Sequence, residues 1–214
     1  MPHVFGTRRH PVQNARDARA LADAAGLSPG PVHLSAQCHG RDVTTPDARH
    51  LFPQADAHVA TRPGDLVAVR TADCVPVLLA GPDGRAVAAV HAGWRGLVAG
   101  VVEAAVAALH ARGHRPMAAA VGPCIGVAHY AVGDDVAASF DPAHLDRTRG
   151  PKPHLDLRAA TAARLLGLGL AAADIDVSSA CTFRDEADFF SHRRAVQRGA
   201  ARGHQAAVIG PAPP

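Results

Sequence analysis

The segment 75–91, VPVLLAGPDGRAVAAVH, constrains this chain more than any other. Two short apolar runs flank Gly81-Pro82-Asp83-Gly84, a turn sequence in which Pro presets one φ and Gly accepts the left-handed region. Runs bounded in this way read as paired strands, so a β-hairpin is expected near the centre of the fold. A four-residue turn pairs Ala80 with Arg85. Counted outward, it sets Cys74 directly opposite His91, with Cβ atoms about 5 Å apart. A thiol and an imidazole at that separation suit a shared metal ion. They equally suit a nucleophile and its base.

His91 also ends a strand just before a helix, through residues 92–96 (AGWRG). Such junctions favour ligand sites, because the helix start offers free N–H groups and the positive end of a dipole. The glycines there allow close approach to the backbone.

The rest of the chain supplies partners for this hairpin. Residues 14–25 read as a helix closed by Gly26. Val98, Val101, Val102, Ala105, Val106 and Leu109 recur at helical spacing, which predicts a core-facing helix over 97–111. Further helices are predicted over 155–168 and 132–139. Strands are predicted over 31–38, 65–70, 117–122, 175–180 and 205–209. Hairpins mixed with strand-to-helix crossovers point to an α+β fold of mixed β-sheets covered by helices, as a single domain over 1–214.

Of the 214 residues, 48% are hydrophobic but only 8 are aromatic, so the core is built from Ala, Val and Leu. The net charge is +3 and the basic residues are dispersed among acids, without the basic stripe of a nucleic-acid binder. No run approaches the ~20 apolar residues of a membrane-spanning helix, and residues 1–10 lack the apolar centre of a signal peptide. The chain is therefore expected to be cytoplasmic, with no nucleic-acid or membrane partner. Cys38, Cys74, Cys124 and Cys181 are widely spaced, and in such a chain they read as thiols, ligands or core residues rather than disulfides.

Five segments in order carry a resemblance. They are 37–40 (QCHG), 72–79 (ADCVPVLL), 91–96 (HAGWRG), 122–126 (GPCIG) followed by Tyr130 and Gly133, and 189–194 (FFSHRR). Together they resemble the signatures of the laccase-domain family, whose members are labelled polyphenol oxidases or purine nucleoside phosphorylases. The resemblance runs from about residue 31 to 209. It implies a mixed α/β fold and a metal site made by His39, Cys74 and His91; His39 rests on the resemblance alone. It further implies phosphorolysis of adenosine, inosine, guanosine and methylthioadenosine, with adenosine deaminase activity, so that the partners are purine nucleosides and phosphate.

Two imidazoles and a thiolate leave one tetrahedral position open, the layout of a catalytic zinc. Zn is expected rather than Cu. A blue-copper site usually adds an axial Met, and the only methionines, Met1 and Met117, are remote from the motifs. No HxH pair of a multicopper oxidase occurs among the 14 histidines. Asp73, beside Cys74, is a candidate general acid/base, although strand alternation turns it to the opposite face. Arg95, Arg193 and Arg194 are candidates for phosphate, with Ser191 as a small donor. Cys124 and Tyr130 are candidates to line the pocket, and Cys181 reads as core.

Three departures from the family pattern stand out. Measured against the family, a largely missing N-terminal extension is expected, with residues 5–8 (FGTR) as its remnant and a shortened N-terminus. His192 stands where Tyr is common, and His204 where Arg is. Cys38 beside His39 is unusual, and alternation directs it away from the metal. Two other readings stay open: a Cys74–His91 hydrolase or amidase acting on cell-wall precursors, and a catalytically degenerate metal-binding member.

Overall fold

The central hairpin forms as β6 (Val75–Ala80) and β7 (Val87–Ala92), but its connection is longer than the turn sequence implies. In this computed structural model, which describes residues 2–27, 29–46, 54–116 and 118–212, Ala80 pairs with Val87 and Pro76 with His91. The connection therefore spans residues 81–86. Asp83 Oδ1 accepts the Arg85 N–H at 3.0 Å, and Gly81 N–H donates to Ala86 O at 2.9 Å, which closes the loop two residues later than expected. Pro76, not Cys74, stands across from His91. A shift of two residues preserves the face each side chain points to, whereas a shift of one would have reversed it.

Around this hairpin lies a six-stranded sheet. β7 pairs on its other edge with β4 (Ala57–Ala60), which continues to β3 (Val43–Thr44). On the far side β6 pairs with β8 (Ala118–Val121), followed by β11 (Ile175–Val177). Met117, the first residue of the strand expected over 117–122, lies outside the described residues. A four-stranded sheet stacks on this one, in the order β1 (His3–Phe5), β12 (Gln205–Ile209), β5 (Leu66–Thr71), β2 (Val32–His33). A small ribbon pairs β9 (Leu145–Asp146) with β10 (His154–Leu155).

Alternation along the strands builds three apolar layers. Leu78, Ala80, Val87 and Ala89 of the larger sheet meet Val67, Val69, Ala207 and Ile209 of the smaller one. On the outer side of the larger sheet, Val75, Val77, Val90 and Val121 pack against α3 (Val101–His110) and α5 (Leu157–Gly167). On the outer side of the smaller sheet, Leu66, Ala68 and Val208 pack against α1 (Ala15–Ala24). The result is a helix–sheet–sheet–helix stack, an α+β fold whose Ala- and Val-rich faces let the two sheets approach closely. Each Val or Leu so buried contributes roughly 1.5–3 kcal/mol.

Asn14 caps α1 by accepting the N–H groups of Arg16 and Asp17, at 2.9 and 3.1 Å. The helix expected over 97–111 is instead two helices, α2 (Trp94–Ala99) and α3, parted at Gly100, whose φ of 87° is left-handed. That break turns Val98 outward: it is 46% exposed rather than core-facing. Shorter elements stand where 132–139 and 31–38 were expected, α4 (Asp134–Ala137) and the two-residue β2. A last helix, α6 (His192–Arg198), precedes β12. Among the described residues no helix is long and apolar enough to cross a membrane.

Candidate metal centre and pocket

The layer between the two sheets is apolar along most of its length and polar at one end. The faces that place Leu78, Ala80, Val87 and Ala89 between the sheets also direct His91 and, just before β6, Cys74 into this layer. Asp56 precedes β4, and its backbone C=O accepts the His91 N–H at 2.7 Å, so it sits across from His91 on the neighbouring strand.

His39, Cys74 and His91 come together at this end of the layer. Their ligand atoms all lie within 4.8 Å of one another, and among the described residues this is the one group of three such side chains. Two backbone irregularities make the meeting possible. His39 (φ 61°) and Asp73 (φ 100°) are the only non-glycine residues with positive φ among those described, and both belong to the site. Such conformations cost on the order of 1–3 kcal/mol and persist where surrounding contacts enforce them.

Those contacts are visible. The buried carboxylate of Asp56 accepts the backbone N–H groups of Cys38, His39 and Gly40 at 3.1, 3.0 and 2.8 Å, which folds the 38–40 loop over the site. The same carboxylate lies 2.7 Å from His91 Nδ1 and so leaves Nε2 for a ligand. Opposing effects act on the Asp56 carboxyl. Burial pushes it up, but the hydrogen bond from His91 and the N–H of Gly40 outweigh burial and hold it well below the usual carboxylate range. Burial likewise pushes the Cys74 thiol up, but the charge of His91 and the hydrogen bond from His39 bring it below its ordinary value. Burial pushes His91 down, and the Cys74 and Asp56 charges reverse this. A thiolate facing imidazoles, one of them anchored by a carboxylate, is a donor set that fits zinc. Gly93 completes the cradle: a Cβ there would stand 2.8 Å from Cys74 Sγ and 3.0 Å from His39 Cδ2.

The three side chains open into a cavity of about 600 Å³. Arg95, Tyr130, Ser191 and Arg193 line it, as does Asp73. Asp73 thus does not follow the alternation expected of it, because its positive φ turns it and Cys74 toward the same cavity. Its carboxylate accepts from Thr182 Oγ1 at 2.6 Å and from the Arg193 N–H at 2.7 Å. Arg95 stacks on Trp94 and Arg193 on Tyr130, with guanidinium carbons 4.3 and 5.2 Å from the ring centroids. Arg193 also donates to Ala131 O at 3.0 Å.

Two expected site residues stand elsewhere. Cys124 is fully buried and does not line the cavity; burial pushes its thiol up to about 12. Arg194 is a core residue, 2% exposed, whose guanidinium donates to the carbonyls of Thr182, Phe183 and Phe189. Cys181 is buried, as expected. Cys38 is not among the grouped ligands; its Sγ donates to Asp56 Oδ2 at 3.3 Å.

Sequence reasoning missed Asp56, and with it the cavity residues Gln37, Arg70, Arg202 and the role of His204 as lining. The signal for Asp56 was the 55–60 segment ADAHVA, whose alternation marks a strand with Asp and His on one face.

A family described as multi-copper polyphenol oxidoreductase laccase matches residues 5–212. The chain is 40% identical over 201 residues to a purine nucleoside phosphorylase of Deinococcus radiodurans, covering 92% of this chain and 76% of that protein. A protein of the same description from Streptomyces coelicolor is 40% identical over 191 residues, covering 86% and 78%. Among solved structures, the Neisseria meningitidis protein NMB0706 matches with a TM-score of 0.84 at 30% identity, over 99% of this chain and 94% of that one. YlmD from Geobacillus stearothermophilus matches with a TM-score of 0.79 at 30% identity, over 93% and 80%.

Proposed function

Because the chain belongs to the multi-copper polyphenol oxidoreductase laccase family, among relatives named purine nucleoside phosphorylase, we propose that it is a zinc-dependent purine nucleoside phosphorylase. Its substrates on this reading are adenosine, inosine, guanosine and methylthioadenosine, with adenosine deamination as a second activity. The observation that carries the proposal is the meeting of His39, Cys74 and His91 at the wall of a cavity that also presents arginines and aromatic rings.

The donor set favours zinc over copper, with neither an axial Met in the motifs nor an HxH pair in the chain. Bound by His39, Cys74 and His91, the ion would supply Lewis acidity. Phosphorolysis forms a bond from a phosphate oxygen to ribose C1′ and breaks the bond from C1′ to purine N9. The bonding pair leaves with the purine, which takes up a proton. Trp94 and Tyr130 line the cavity with rings, each stacked with a guanidinium, and Arg95, Ser191 and Arg193 offer donors to the nucleoside. Asp73 is the acid–base candidate, since its carboxylate reaches the cavity while its hydrogen bonds fix it in place.

The test is incubation of the purified protein with adenosine, with and without phosphate, and identification of the products. Free adenine that requires phosphate supports phosphorolysis, and inosine formed without phosphate supports deamination. Formation of neither product would remove the proposal.

One observation favours a second reading. Cys74 Sγ and a ring nitrogen of His91 lie within 4.8 Å of one another, a spacing that also suits a cysteine nucleophile and its base, as in an amidase. About one zinc per chain, lost in Cys74→Ala, would decide against it.

A further inference from the structure

The cavity is strongly biased in charge. Arg70, Arg95, Arg193 and Arg202 line it against a single carboxylate, Asp73, both of whose oxygens already accept hydrogen bonds. Arg95 and Arg193 are stacked on rings, as described, and sit with Tyr130 beside Asp73 and Cys74. Arg70 lies near the end of β5 and His204 immediately precedes β12, its pairing partner, with Arg202 two residues before His204. This part of the lining contains polar atoms left over by the fold. Arg70 Nε and His204 Nδ1 are both buried with no hydrogen-bond partner among the described residues, while Arg70 Nη1 donates to Gln13 O at 2.5 Å.

A buried polar atom without a partner is costly, so two on one face of the paired strands call for a ligand that satisfies them. Arg70 stands across from Ala206 in the pairing of β5 with β12, and His204, two residues before Ala206, shares its face; burial and then the Arg70 charge push His204 below the usual imidazole range. An anion between them removes that repulsion and gives Arg70 Nε and His204 Nδ1 an acceptor. Their backbones are also held in place. Gln37 and the Arg70 backbone exchange two hydrogen bonds at 2.8 Å. Val12 N–H donates to His204 O at 2.9 Å, and Gln205 clamps the Phe190 backbone at 3.0 and 3.3 Å. Arg70 and His204, anchored through their backbones, bind an oxyanion at less ordering cost than free side chains would.

We propose that Arg70, Arg202 and His204 form the oxyanion subsite of this cavity, and that inorganic phosphate occupies it while the nucleoside lies on the Trp94–Tyr130 side. The subsite rests on the phosphorylase reading only for the identity of its anion. It places phosphate away from Arg95 and Arg193, where the motif spacing alone had put it.

The experiment titrates inorganic phosphate into the zinc-loaded protein by calorimetry, in a phosphate-free buffer, and compares Arg202→Gln, His204→Gln and Arg95→Gln. Arg202 is exposed, so Arg202→Gln tests the subsite even where a change at Arg70 or His204 would disturb folding, and melting curves establish that each variant is folded. The expected result is a loss of phosphate affinity of about tenfold or more in Arg202→Gln and His204→Gln, and less than about twofold in Arg95→Gln. Unaltered affinity in both of the first two, tenfold weakening in Arg95→Gln, or no phosphate binding by the parent protein would overturn the subsite. Phosphate KM, measured on any nucleoside that is turned over, separates the two ideas. Binding without phosphorolysis leaves the subsite and removes the phosphorylase. Phosphorolysis with unchanged phosphate KM in these variants does the reverse.

Discussion

Asp56 stands directly across from His91, and its carboxylate meets the imidazole Nδ1 at 2.7 Å. The same carboxylate gathers the backbone N–H groups of residues 38–40, so one side chain orients His91 and holds His39 in its left-handed conformation. Replacing Asp56 by Asn removes the charge and one set of acceptor sites while keeping the shape. Zinc affinity is expected to fall by about 10–100-fold, the range typical of a partner that orients a metal-bound histidine. Competition against a chromogenic chelator measures it, and an affinity within about twofold of the parent would show that Asp56 does not act on the metal site.

Gly93 is the second support of the site. A methyl group at this position would lie 2.8 Å from Cys74 Sγ, closer than the packed cradle permits, while the backbone φ of −76° is ordinary for alanine. Gly93→Ala is therefore expected to lose most of its zinc with little change in fold. Elemental analysis gives the metal content and circular dichroism the helix content. Full zinc occupancy in the variant would mean that Cys74 or His39 has room to move.

The sequence contained much of this site, but unevenly. The hairpin and the faces of its strands were legible because turn residues and alternation are local signals. That is why Cys74 and His91 were correctly placed on one side, although the register was off by two. The direct opposition that the turn sequence implied is not found, because the loop closes two residues later through a contact of Asp83 with the Arg85 N–H that turn composition does not specify. Local alternation over 55–60 could mark which face Asp56 shares, but not its partners, which are 16 to 35 residues away. Cys124 and Arg194 carried motif context into the core, where burial rather than motif decides what a side chain can touch.

The break between α2 and α3 makes a separate statement about stability. Gly100 adopts φ 87° and ends one helix as it begins the next, a conformation an L side chain enters only at a cost. Nothing crowds the position, since the nearest atom to an added methyl group would be Glu103 Oε2 at 3.5 Å. Gly100→Ala should therefore destabilise by about 1–2 kcal/mol through backbone strain alone. Urea unfolding at pH 7 reads this directly, and a gain in stability would contradict the assigned conformation.

His58 gives the fold a defined acid sensitivity. It is 1% exposed, accepts the Ser35 N–H at Nε2, and has no partner at Nδ1 among the described residues. Burial, then the nearby His33, push its pKa from 6.5 down to about 4. The unfolded chain thus binds a proton between these values that the folded chain refuses. The contribution of neutral His58 to stability is complete above about pH 6.5 and is lost as the pH falls toward about 4. Across that whole window the loss is about 3 kcal/mol, of which about 2 kcal/mol appears between pH 7 and pH 5. His58→Gln keeps an acceptor for Ser35 and cannot titrate. Urea unfolding of both proteins at the two pH values should show the parent losing about 2 kcal/mol more than the variant, because the acid response of every other group is common to both. Equal losses would mean that His58 takes up its proton as readily in the folded protein as in the unfolded one.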